Sequence, residues 1–78
     1  NVRVDFIENN FMWITANNKR VIIAECKNAE NVFENKEDCD IIILYGKNIS
    51  EYEDLIKENQ EGVQVIVLAT GEKITINL

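Results

Sequence analysis

Four consecutive aliphatic residues, Ile41, Ile42, Ile43 and Leu44, run into Tyr45 and then Gly46. A run without polar alternation has no face to give to water and is too short for a buried helix. Its β-branched side chains also lose less rotamer freedom in a pleated strand than in a helix. These residues are therefore expected to form a strand buried on both faces, in the middle of a sheet.

Taken from the start, Val2, Val4 and Phe6 alternate with Arg3 and Asp5, the period of a half-buried strand, and Glu8-Asn9-Asn10 has turn chemistry. Phe11 to Ala16 is rich in aromatic and β-branched residues, Asn17-Asn18-Lys19 turns the chain, and Val21-Ile22-Ile23-Ala24 reads as a third, more deeply buried strand. Asn28 is placed to cap a short helix in which Ala29, Val32, Phe33 and Lys36 share one stripe. The Asn content of this helix lowers its propensity, so packing of Val32 and Phe33 on the sheet is expected to hold it. After Gly46-Lys47-Asn48, Ser50 and Glu53 have the spacing of a capping box. Tyr52, Leu55 and Ile56 then make the inner stripe of a second helix, and Gly62 stands where a left-handed residue would end it. Residues 63–68 supply another buried strand, Gly71-Glu72 suit a tight hairpin, and Ile74 and Ile76 alternate in a final edge strand.

The expected order is β-β-β-α-β-α-β-β, an α/β fold in which right-handed crossovers make the three inner strands parallel and put both helices on one face. The result is a two-layer sandwich with a mixed sheet of about six strands and two helices.

A chain of 78 residues with 46% hydrophobic content is enough for one domain. It opens on Asn1-Val2 with neither a charged-then-apolar leader nor an apolar run near 18 residues, so neither a signal peptide nor membrane insertion by this segment is expected. Excision from a longer protein is the expected origin of such an opening. Fourteen acidic against eight basic side chains give a net charge of −6, with the basic residues scattered, so the isolated domain is not expected to bind nucleic acid directly. There is no His, which removes His-dependent zinc sites and His general bases unless a partner supplies one. Cys26 and Cys39 lack metal-ligand spacing and read as buried, reduced thiols. If one ends a strand and the other begins the next parallel strand, they lie at opposite ends of the sheet, beyond disulfide reach. No metal or other cofactor is expected.

In open parallel sheets ligands bind beyond the carboxyl ends of the strands, which marks Glu25, Tyr45, Lys47, Asn48, Thr70 and Gly71 as a loop rim. The chain has no phosphate-binding glycine motif and no nucleophile–base pair, so no catalytic residue is assigned and the rim is read as ordinary loop. Glu51, Glu53 and Asp54 favour a helix start, and Glu37, Asp38 and Asp40 read as a solvated loop. Phe11 and Trp13 share one face of the second strand, where they either pack in the core with Tyr52 or stack on a partner. Two short helices cannot cover both faces of so wide a sheet. The open face is expected to present Phe11 or Trp13 and to dock a neighbouring domain of the same protein or a second copy.

Two family resemblances follow. Residues 2–26, "VRVDFIENNFMWITANNKRVIIAEC", resemble the opening of the metallo-β-lactamase-like domain at the end of ComEC-type competence DNA-uptake channels, with Asn18-Lys19 and Val21 to Ala24 matching its "N-G-K" turn and aliphatic strand. From Asp40 onward the chain is similar to that domain's last third, through Gly46, Lys47, Asn48, Gly62, Val63, Val65, Gly71, Ile74, Thr75 and Ile76. The family's His-x-His-x-Asp-His metal stretch and later histidines have no counterpart. The resemblance therefore implies a shortened, non-catalytic accessory domain belonging to an integral membrane protein, on its extracytoplasmic face. Residues 21–70 also resemble the middle of a response-regulator receiver, with Tyr45 where that family phosphorylates an Asp and Ala69 where it has a Thr or Ser. That alternative implies a degenerate cytoplasmic signalling domain.

Overall fold

A computed structural model describes residues 2–7 and 11–76 of the chain. Among the described residues, five strands form one open mixed sheet whose spatial order is the order in sequence. They are β1 (Val2–Ile7), β2 (Phe11–Ala16), β3 (Lys19–Glu25), β4 (Ile41–Tyr45) and β5 (Gln64–Leu68), with helices α1 (Ala29–Phe33) and α2 (Glu53–Asn59) in the two crossovers. β1, β2 and β3 are an antiparallel meander, while β3, β4 and β5 run parallel. The α/β class and the mixed sheet are as expected from the sequence, with one strand fewer.

β4 is an interior strand, as the aliphatic run demands, but it stands beside the edge strand β5, and the middle of the sheet is β3. Ile42 and Leu44 face the helices and Ile41 and Ile43 face the other way, and all four are buried. The start of the parallel pair is closed by two reciprocal hydrogen bonds. Arg20 N–H donates to Asp40 Oδ2 at 2.9 Å and Asp40 N–H donates to the Arg20 carbonyl at 2.9 Å, while Gln64 N–H reaches the Asp40 carbonyl at 3.1 Å. Satisfying these backbone groups fixes the register in which Ile22 lies beside Ile42 and Ile42 beside Val65. The β2–β3 turn uses Asn17 and Asn18 with φ of 51° and 63°, the left-handed pair that suits a two-residue hairpin.

Both helices cover one face, where Phe11, Trp13, Ile22, Ala24, Ala29, Val32, Phe33, Ile42, Leu44 and Ile56 form the main core. Phe11 and Trp13 are 2% and 5% exposed. The expectation that they point out of the open face is therefore corrected: their position in β2 puts them under the helices, in the core cluster against which Tyr52 also packs, and the Arg20 guanidinium lies 4.3 Å from the Trp13 ring. The opposite face is carried by Val21, Ile41 and Ile43, with Ile14, Ile23, Ile66 and Leu68 half-buried around them.

Three local expectations change. Residues 72–76 do not form a sixth strand. Gly71, at φ 87°, makes the turn with Glu72 N–H on the Ala69 carbonyl at 3.0 Å, but the Glu72 carboxylate takes the Ala69 N–H at 2.8 Å, and Ile76 then packs on the open-face cluster. Apolar burial over Val21, Ile41 and Ile43 wins over ladder hydrogen bonds to β5, which is left an edge strand with half-buried side chains. Asn28 makes no side-chain cap, and α1 is a five-residue core between 3₁₀ turns at Cys26–Asn28 and Lys36–Asp38. The Ser50–Glu53 capping box does not form either, because Ile49–Tyr52 is itself a 3₁₀ turn and α2 begins only at Glu53. Packing of Val32, Phe33 and Ile56 holds these short helices where caps do not. The turn assigned to Glu8-Asn9-Asn10 lies outside the described residues.

Candidate functional site

The carboxyl ends of β3, β4 and β5 enclose a cleft of about 430 Å³. Glu25, Tyr45, Lys47, Asn48 and Thr70, named from the sequence as a loop rim, all line it, while Gly71 does not. The fold adds Cys26, Lys27, Gly46 and Tyr52. Gly46 and Asn48 shape this mouth with φ of 124° and 59°, conformations that side chains seldom adopt apart from Asn and Asp. A Cβ on Gly46 would meet only ordinary contact, 3.9 Å from Cys26 N, so its backbone angle rather than space calls for glycine.

The chemistry of the cleft is muted. Lys27 Nζ lies 3.4 Å from a Glu25 carboxylate oxygen, so the two charges at its edge offset each other. Burial pushes the Cys26 thiol up, away from the depressed value that a nucleophilic cysteine needs. Cys39 is displaced the same way, chiefly by burial, and its thiol donates to the Ile41 carbonyl at 2.9 Å. Cys39 precedes β4 at the Arg20 end and Cys26 follows β3 at the other, so about five strand residues, roughly 17 Å, separate them. Both are free thiols, as their spacing implied. Among the described residues no three Cys, Asp or Glu side chains converge as a metal-binding group.

The second feature is the sheet face away from the helices. A groove of about 360 Å³ runs between the strands and the segment after β5, walled by Ile14, Ile23, Ile43, Leu68, Ile74 and Ile76 with Tyr45 at its end. Among the described residues the exposed large hydrophobic side chains are Val2, Val4, Tyr45 and Ile74. Val4 pairs with Ile14 in register, and Tyr45 and Ile74 wall the groove, so the exposed apolar surface gathers on this one side. The face away from the helices is open as expected, but Phe11 and Trp13 are not on it. The usable signal was the Ile41–Leu44 run itself: a strand apolar on both sides requires aliphatic neighbours on both sides.

No protein-family model, curated protein or solved structure matches this chain. No helix among the described residues is long and apolar enough to cross a membrane.

Proposed function

We propose that this chain is a non-catalytic docking domain, a shortened relative of the metallo-β-lactamase-like domain of competence DNA-uptake channels, and that its open sheet face receives an amphipathic helix from a neighbouring domain. The observation that carries this reading is the aliphatic face opposite α1 and α2. Its β3–β4 part is already covered by residues after Gly71, with Ile76 on Val21, Ile41 and Ile43. From β1 to β3, where Val2 and Val4 stand 69% and 52% exposed and Ile14 and Ile23 are half-buried, the strip is about 10 Å wide, the width of one helix. Its length along β1 is roughly 20 Å, enough for a helix of about 13 residues. A net charge of −6 favours basic flanks on that helix.

The antiparallel meander at the start of the chain supports the competence-type relationship over the receiver alternative, which leaves β1 and β2 unassigned and places Tyr45 where a phosphorylated Asp belongs. Methyl NMR of the chain titrated with a Leu/Lys amphipathic peptide of about 13 residues tests the docking face, with a Leu/Glu peptide as control. Shifts confined to Val4, Ile14 and Ile23 are the expected result. Their absence up to about 1 mM peptide, or shifts centred on Tyr52 and Thr70 in the cleft, would overturn it. Several membrane spans directly upstream in the full-length protein would support attachment to a channel, and their absence would refute it.

A further inference from the structure

β1 is one edge of the sheet, paired to β2 along Val2↔Ala16 through Ile7↔Phe11, and no strand pairs with its other side among the described residues. Edge strands are commonly blunted by Pro, by a bulge or by charged side chains. β1 has neither Pro nor bulge, its register being unbroken over six residues, and its two charges, Arg3 and Asp5, are opposite in sign and two positions apart, so they oppose a strand only where its charges do not match. Within one chain they answer each other, with Arg3 Nε 2.9 Å from Asp5 Oδ2, on side chains 78% and 43% exposed. That pairing holds two opposite charges side by side along an open edge.

Turned end for end about Val4, the strand presents the complement of itself. In an antiparallel pair with Val4 on a two-fold axis, Arg3 of each copy stands opposite Asp5 of the other, and Val4 stands opposite Val4. We propose that this chain forms a closed homodimer through β1, joining two five-stranded sheets into one of ten strands, with Arg3 and Asp5 exchanging partners across the axis. The occupant is a second copy and not a foreign strand because the charge pattern is self-complementary. The closed form is preferred to a head-to-tail chain because β5, the other edge, reads Gln-Val-Ile-Val-Leu and gives Arg3 and Asp5 no cross-strand partner. Asp5 is opposite Trp13 in register, so the exchanged ion pairs fall on the helix side of the joint sheet. Val2 and Val4 then lie at the centre of a single apolar surface on the other side. This inference uses the sheet edge rather than its face and does not depend on the docking reading.

The test is charge reversal followed by sedimentation velocity of the 78-residue chain over a range of concentrations. Wild type should dimerise, and Arg3→Asp and Asp5→Arg should each weaken dimerisation at least about tenfold, since each sets like charges opposite each other twice per dimer. An equimolar mixture of the two single variants should recover the dimer, because every cross-strand pair is then opposite in sign, and the doubly reversed Arg3→Asp/Asp5→Arg chain should recover it alone. Circular dichroism should show all variants as folded as wild type, both side chains being exposed. A wild type that stays monomeric to about 1 mM, single variants that dimerise as well as wild type, or a mixture that fails to recover would each overturn the proposal.

Discussion

The two faces of this sheet are made of the same kinds of residue and have different fates. On one, Ile22, Ile42 and Leu44 are sealed beneath α1 and α2. On the other, Ile14, Ile23, Ile66 and Leu68 are half-buried under a single irregular segment, and Val2 and Val4 stand in solvent. The comparison teaches that apolar content does not by itself separate core from contact surface in a small domain. What separates them is whether the chain has a layer left to place there, and a domain of this size has two helices for two faces that both require cover.

The sharpest way to break this comparison is to charge the covered side. Val32→Asp puts a carboxylate at a fully buried position of α1, and no buried polar or charged residue among the described ones offsets its desolvation, so a loss of about 4 kcal/mol or more is expected. Loss of the far-UV helical signal at room temperature would register it, and a melting temperature close to wild type would show that α1 does not seal this face.

Next in size is a matched pair of truncations. Ile42→Ala should cost about 2–5 kcal/mol in urea unfolding, whereas Ile66→Ala, on the half-covered side, should cost about 1 kcal/mol. Equal losses would mean that the two faces are equally packed.

Smaller again is Ile76→Asp, which releases the segment after Gly71 from the open face. A loss of about 1 kcal/mol is expected, together with faster proteolysis after Lys73. Unchanged proteolysis would show that Ile76 is not what holds the segment.

The smallest effect concerns the thiols. Burial raises the folded value for both Cys26 and Cys39 above its unfolded value, so the folded state keeps its protons longer. Stability from this source is fully present below the ordinary thiol value of about 8.5 and declines as pH rises past it toward the folded values. Urea midpoints from pH 7 to 10 should fall in the upper part of the range and flatten in a Cys26→Ala/Cys39→Ala chain. Rapid alkylation of either thiol in the native protein at pH 7 would contradict their burial.

Much of this architecture was legible in residue order. The Ile41–Leu44 run marked a strand buried on both faces, Asn17-Asn18-Lys19 marked the turn before β3, and the interval between Cys26 and Cys39 placed the thiols at opposite ends of the sheet. The loop rim was also legible, since Glu25, Tyr45, Lys47, Asn48 and Thr70 do meet beyond the strand ends. The capping box was not, because Ser50 and Glu53 have the right spacing but the intervening residues wind as a 3₁₀ turn. Spacing alone does not report that choice.

Sequence by itself determined where strands form and how they alternate, because side-chain period and β-branching act within a few residues. Which face of each strand meets the helices was left to the tertiary structure. Period two divides Phe11 and Trp13 from Ile14 without saying which set goes inward, and only the crossovers through α1 and α2 decide that Phe11 and Trp13 are covered and Ile14 is not. The fate of Ile74 and Ile76 was settled at the same level. Their alternation suits a strand, but the aliphatic face left bare by one-sided helices draws Ile76 across the sheet and away from the edge of β5.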